Sequence, residues 1–131
     1  MDYKKYAEEH FSTDIYAVET TGIRVEDAGP DYARCSLKID RRHFNVDGSV
    51  MGGAIFTLAD YTFGVAANID KAQTVSLSST IHFVRATKGP TLYAEAHCIK
   101  GGRSIAFYEV TVTDDSGSII ATVLSNGFRK Q

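Results

Sequence analysis

From Gly52 to Ile69 the chain places apolar residues at Ile55, Leu58, Ala59, Phe63, Ala66 and Ile69, which is helical spacing. Val65 and Ala67 widen that stripe until hardly any polar face remains. A helix that is apolar nearly all round is stable only when other elements enclose it. The rest of the chain therefore has to build the enclosure, and 131 residues suffice for one core and leave no room for a second.

The enclosure is predicted to be a sheet. Tyr32 to Ile39 sets Ala33, Cys35, Leu37 and Ile39 against Arg34, Ser36 and Lys38, the period of a strand with one buried face. Thr74 to Phe83 sets Val75, Leu77, Ile81 and Phe83 against Thr74, Ser76, Ser78, Thr80 and His82. Leu92 to Cys98 repeats the pattern, and two more strands are expected over 104–113 and 118–128. A first strand is expected over 22–26, and a short helix over 3–11 carries Tyr3, Tyr6, Ala7 and Phe11 on one side. Turn residues at 28–31, 88–90, 100–103 and 114–117 separate the strands, and such short breaks predict antiparallel hairpins. The expected class is α+β: an antiparallel sheet of five to six strands wrapped around one long central helix. A hairpin would precede the helix and a four-strand meander follow it. One domain spans 1–131, with residues 1–12 as an N-terminal helix packed on it.

Composition narrows the partners. A net charge of -2 with scattered basic residues gives no reason to expect nucleic acid or a membrane surface. No apolar leader follows Met1 and no apolar run reaches spanning length, so a cytoplasmic setting is expected. Cys35 and Cys98 fall at apolar phases and read as small buried side chains. No set of residues has metal-ligand spacing, so no metal and no separate cofactor are expected.

One residue breaks the pattern. Between Gly48 and Ile69 only Asp60 carries formal charge, mid-helix, where aspartate has poor propensity and nothing to cap. Its flank is shared with the small residues Thr57, Gly64 and Ala67, which leave space for a cleft. Asp60 could point to solvent or pair with Arg85 or Arg103, or it could be kept for chemistry. At the helix entrance Gly52 and Gly53 leave first-turn amides unshielded, as an oxyanion site requires. Gly52 and Asp60 stand eight residues apart, so about 12 Å of helix axis separates them. An antiparallel helix from a second subunit would bring one chain's Asp60 to the other's Gly52, which predicts a site across a dimer interface.

The stretch Asn45-x-x-Gly48-x-x-Met51-Gly52-Gly53-x-x-x-x-Leu58-Ala59-Asp60 resembles the signature of hotdog-fold thioesterases related to the phenylacetate-pathway (PaaI-like) enzymes. Ile81-His82-Phe83-Val84-Arg85 with Gly89, then Arg103 and the 114–117 turn, extend the resemblance over about residues 20–128. It implies an acyl-coenzyme A thioesterase acting on aromatic or medium-chain acyl groups. Asp60 would be general base or nucleophile, the Gly52 amide an oxyanion donor, and Asn45 and Ser76 would orient the machinery, with Ser78 a rival to Ser76. Gly48, Met51 and Gly53 would shape the entrance, while Arg85, Lys88 and Arg103 at strand ends suit the phosphates of coenzyme A, which is part of the substrate. The family commonly has histidine where this chain has Met51, and a thioether donates no hydrogen bond. That departure keeps open a non-catalytic acyl-coenzyme A binding or sensing domain, and ranks hydratase chemistry last. The resemblance also implies a homodimer that pairs further into a homotetramer.

Overall fold

The computed structural model describes residues 1–130. Helix α1 (Tyr3–His10) is capped by Asp2, whose side chain accepts from the Lys5 N–H at 3.0 Å. A 3-10 turn (Phe11–Thr13) and a π-helical turn (Tyr16–Thr21) lead to β1 (Ile23–Gly29) and β2 (Tyr32–Lys38). After a 3-10 turn at Arg41–His43 comes the long helix α2 (Gly52–Asn68), then β3 (Thr74–Phe83), β4 (Thr91–Gly101), β5 (Ile105–Asp114) and β6 (Ile119–Arg129). Each predicted element is present, while the π-helical turn has no counterpart in the sequence reading. All six strands form one antiparallel sheet in the order β1-β2-β4-β5-β6-β3.

The sheet encloses α2. Leu58, Ala59, Ala66 and Ala67 of the helix have no accessible surface, and neither do Ala33, Ala94, Ala96 and Ala106 on the facing strands. These small side chains let the helix approach the sheet closely, while Leu37, Leu92, Val110 and Val112 fill the flanks. At the C-terminal end of α2 the Asn68 side chain accepts from the Thr74 N–H at 2.7 Å and donates to the Gly64 carbonyl at 2.8 Å. Helix end and strand start are thereby joined.

Two expectations need correction. The four strands after the helix are not a simple meander: β4-β5-β6 is one, but β3 pairs with β6 rather than with β4. Strand β4 instead pairs with β2, which lets the early hairpin join the sheet. Three strand spacings separate β3 from β4, about 14 Å, and a seven-residue link reaches about 24 Å, so a short connection suffices to cross. The alternation in β3 also fails to give one buried apolar face. A bulge between Ser76 and Ser78 shifts the register, and Leu77 is 54% exposed. Thr74 and Ser76 lie opposite Arg129 and Gly127 on the helix side, whereas Ser78 lies opposite Asn126 on the outer side. Strand β3 is an edge with no element beyond it, so Val75 and Phe83 are exposed as well.

Candidate active site

Asp60 projects from the middle of α2 into a groove of about 240 Å³. Its walls come from α2 (Tyr61, Phe63, Gly64), from Ser76 of β3 and from Phe11 and Asp14 of the N-terminal arm. Among the described residues Asp60 accepts no hydrogen bond and pairs with no cation, so the pairing with Arg85 or Arg103 does not occur. Asp60 is itself exposed, so its carboxylate meets water at the groove mouth. Even so, burial raises the pKa of its carboxyl above the usual aspartate value, and the charge of Asp14 raises it further. Gly64 lies one turn beyond Asp60, and a side chain built there would meet nothing, which is the space beside the carboxylate that the small flank predicts.

The entrance of α2 forms a second groove of about 460 Å³, lined by Asn45, Ser49, Gly52, Phe83 and Arg85 among others. Met51, the N-cap, makes no side-chain capping bond. Ala54 and Ile55 both donate to the Met51 carbonyl, while the N–H groups of Gly52 and Gly53, in the first turn, have no partner among the described residues. The approach to them is shaped by Asn45, whose side-chain oxygen accepts from the N–H of Asp47 at 2.9 Å and of Ser49 at 3.1 Å. Gly48 has φ +79°, a conformation that the loop needs and glycine supplies. Met51 is 56% exposed beside this groove. His43, eight residues before Met51, is buried and structural: its ring accepts from the Asp40 N–H at 3.0 Å and bonds the Thr21 carbonyl at 2.7 Å.

Gly52 is required by contact. A Cβ at this position would lie 3.0 Å from Cζ of Phe83, so the ring would have to move. Gly52→Val is expected to displace Phe83, closing the groove at the free amides. On the resemblance's reading of the Gly52 amide as an oxyanion donor, thiol-release kinetics should then show a loss of about 10²–10³-fold in kcat, with the far-UV circular dichroism retained.

Of the predicted site residues, Asp60 and Ser76 share the first groove, and Asn45, Gly52 and Arg85 share the second. Ser78 belongs to neither, since it donates to Asn126 on the outer face of the sheet. Lys88 and Arg103 are exposed and line neither groove. Phe83, Phe11 and Asp14 are lining residues that the sequence reading did not assign to the site. For Phe83 the signal was its place two residues before Arg85. Phe11 and Asp14 have none, because folding of a remote segment brings them in. Among the described residues no three acidic, histidine or cysteine side chains cluster as a metal site would. Among the described residues no helix is long and apolar enough to cross a membrane.

Comparison with known proteins agrees with this geometry. The family described as the thioesterase superfamily matches residues 47–121, the span that runs from the helix entrance through β3 to β6. A Deinococcus radiodurans protein named "Putative esterase" is 35% identical over 115 residues, covering 86% of this chain and 78% of its own. Human acyl-coenzyme A thioesterase 13 is 30% identical over 103 residues, 76% of this chain and 74% of that one. Among solved structures, the Escherichia coli PaaI protein of the phenylacetic acid degradation operon superposes with a TM-score of 0.89 at 22% identity. That match covers 99% of this chain and 96% of the other. A mutant of PaaI from Thermus thermophilus gives 0.82 at 26% identity, over 86% and 97% of the two chains. With a lone carboxylate on the enclosed helix, free amides at its entrance and more than half its length matched, the chain belongs to the thioesterase superfamily and has the hotdog fold.

Proposed function

We propose that the chain hydrolyses the thioester of an aromatic or medium-chain acyl-coenzyme A in a site completed by a second copy of itself. One observation carries this reading: Asp60 stands unpaired in one groove, and the free Gly52 amide lines another groove on the same chain. The eight residues between them amount to about 12 Å along the helix axis. A single chain therefore holds the base and the oxyanion donor too far apart for one carbonyl group. Strand β3 is a ten-residue edge whose outer backbone groups are unpaired. Antiparallel pairing of two β3 strands about a two-fold axis would set the Ser76 end of one beside the Phe83 end of the other. Each Asp60 groove would then meet the partner's Gly52 groove. Exposed Val75, Phe107, Leu124 and Phe128 on the sheet surface suit further pairing of two such dimers.

In this site the thioester oxygen accepts from the Gly52 N–H as negative charge develops on it. Asp60 takes a proton from water, whose oxygen attacks the carbonyl carbon; the C–S bond breaks and the departing thiolate is protonated. Asp60 acting first as a nucleophile would give the same products after hydrolysis of the anhydride. Asn45 and Ser76 hold the water and the carboxylate in line. Coenzyme A is bound by a Streptococcus pneumoniae thioesterase of this fold. In the present chain Arg85, at the rim of the second groove, and exposed Lys88 and Arg103 suit its phosphates.

A panel of acyl-coenzyme A esters assayed by thiol release tests the reaction. Activity is expected with neutral aromatic or medium-chain acyl groups. Tight binding with no turnover on any ester would favour the binding domain instead, a reading that exposed Met51 supports because its thioether cannot donate to a carbonyl. Mixing chains tests the shared site. Asp60→Asn and Gly52→Val homodimers should each be inactive, whereas a heterodimer keeps one intact site. An equimolar mixture refolded together should therefore recover about one quarter of wild-type activity. No recovery would place both residues of a site on one chain and sink the proposal.

A further inference from the structure

The groove at Asp60 contains a second carboxylate, and the Asp60 chemistry does not account for it. Asp14 lies between the 3-10 turn and the π-helical turn of the N-terminal arm. The arm is pinned along its length: Tyr3 donates to Asp70 at 2.7 Å, the Tyr61 hydroxyl donates to the Phe11 carbonyl at 3.4 Å, and Ala7 and Ala17 are buried in the core. Asp14 is held by its backbone, its N–H donating to the Phe11 carbonyl at 3.2 Å and its carbonyl accepting from Val18 at 3.0 Å. Among the described residues its carboxylate has neither a hydrogen bond nor an ion pair, although it stands in the wall of the groove.

Among the described residues no basic side chain lines this groove. Helix α2 brings Tyr61 and Asn68 to this groove, β3 brings Thr74 and Ser76, and the arm brings Phe11. Basic side chains stand in the adjoining grooves instead: His10 and Lys71 line one, Lys4 and Arg24 another, and Lys71 pairs with Asp31 at 3.3 Å. Resting on the reading of Asp60 as the reacting carboxylate, we infer that Asp14 is a positioning and specificity-determining residue: its negative charge beside Asp60 makes the groove turn away acyl groups that themselves carry a carboxylate. A third negative charge in this half-enclosed groove, whose lining from the same chain carries no cation, is repelled by both acids, the one cation added by the assembled site being Arg85 at the rim of the opposite Gly52 groove; this is discrimination by an unfavourable contact rather than by a better fit. The same charge acts through Asp60, making its proton harder to remove.

The test uses the full-length protein and two esters of matched length, glutaryl-coenzyme A and pentanoyl-coenzyme A. Asp14→Asn is expected to raise the glutaryl-to-pentanoyl ratio of kcat/KM by about three- to tenfold, the size of one charge contact in a wet groove. Asp14→Glu should keep the low ratio of the wild type. Carboxyl-carbon NMR should show the titration midpoint of Asp60 at lower pH in Asp14→Asn than in wild type. An Asp60 midpoint that stays in place, or a ratio that does not move, overturns the inference. Should the wild type release thiol from neither of these five-carbon esters, the wider ester panel decides the hydrolytic reading separately. The ratio is then taken from equilibrium dissociation constants of the same two esters, and the same two results decide.

Discussion

Asp60→Asn should abolish thiol release, lowering kcat by about 10²–10⁴-fold while KM changes little, because the amide keeps the shape and cannot take a proton. Retention of more than a tenth of wild-type kcat would remove Asp60 from the chemistry. In wild type the acid limb of kcat/KM should fall above the ordinary aspartate range, since burial and then Asp14 hold the Asp60 proton. Stability should move the other way. A carboxyl whose folded-state pKa is raised favours the native state when protonated, so it destabilises the fold at neutral pH and ceases to do so in acid. Asp60→Asn should therefore melt at or above the wild-type temperature at neutral pH. Any advantage should vanish as the pH falls below the range in which an unfolded aspartate titrates. Lost activity with an unchanged or higher melting temperature separates a catalytic defect from a folding one.

Arg129→Leu should cost about 3–5 kcal/mol of stability, measured by urea unfolding, because it breaks a buried charge network at one member. Arg129 is only 7% exposed at the end of β6. Its guanidinium donates to the Ala67 carbonyl at 3.1 Å, to the Thr74 hydroxyl at 2.8 Å and to the Tyr108 hydroxyl at 2.9 Å. Tyr108 in turn donates to Asp31 at 2.5 Å, and Asp31 also pairs with Lys71. One side chain thus joins the end of α2, the start of β3, strand β5 and the β1–β2 turn. Burial first and the Asp31 bond second raise the pKa of Tyr108, keeping it a neutral donor to the carboxylate. Lysine should not rescue position 129, since one ammonium cannot reproduce the planar fork that serves three oxygens. A loss below about 1 kcal/mol in Arg129→Leu would show that the network carries little net stabilisation.

The candidate site was legible in part. Asp60 stood out because a charge inside an apolar helix conflicts with its surroundings, a contrast visible in a short window of sequence. The paired glycines at 52 and 53 were legible for the same reason, as was the separation of Gly52 from Asp60, which is helix geometry. Ser76 and Ser78 could not be told apart in this way. The two are in phase in the alternation, and only the bulge at Leu77 sends Ser76 to the groove and Ser78 to Asn126. Nothing in the local pattern marked Arg129, which is one of the scattered basic residues in the sequence, yet it is a core residue.

Local patterning by itself determined the enclosed helix, the strands around it and the acid that does not belong, because periodicity and charge contrast act over a few neighbouring residues. Tertiary structure decided the place of β3 beyond β6, the burial of Arg129 and the arrival of Asp14 beside Asp60. Those outcomes depend on which distant segments can share one curved sheet and one core. That choice is a sum of packing and pairing energies across the whole chain, and no short stretch of sequence contains it.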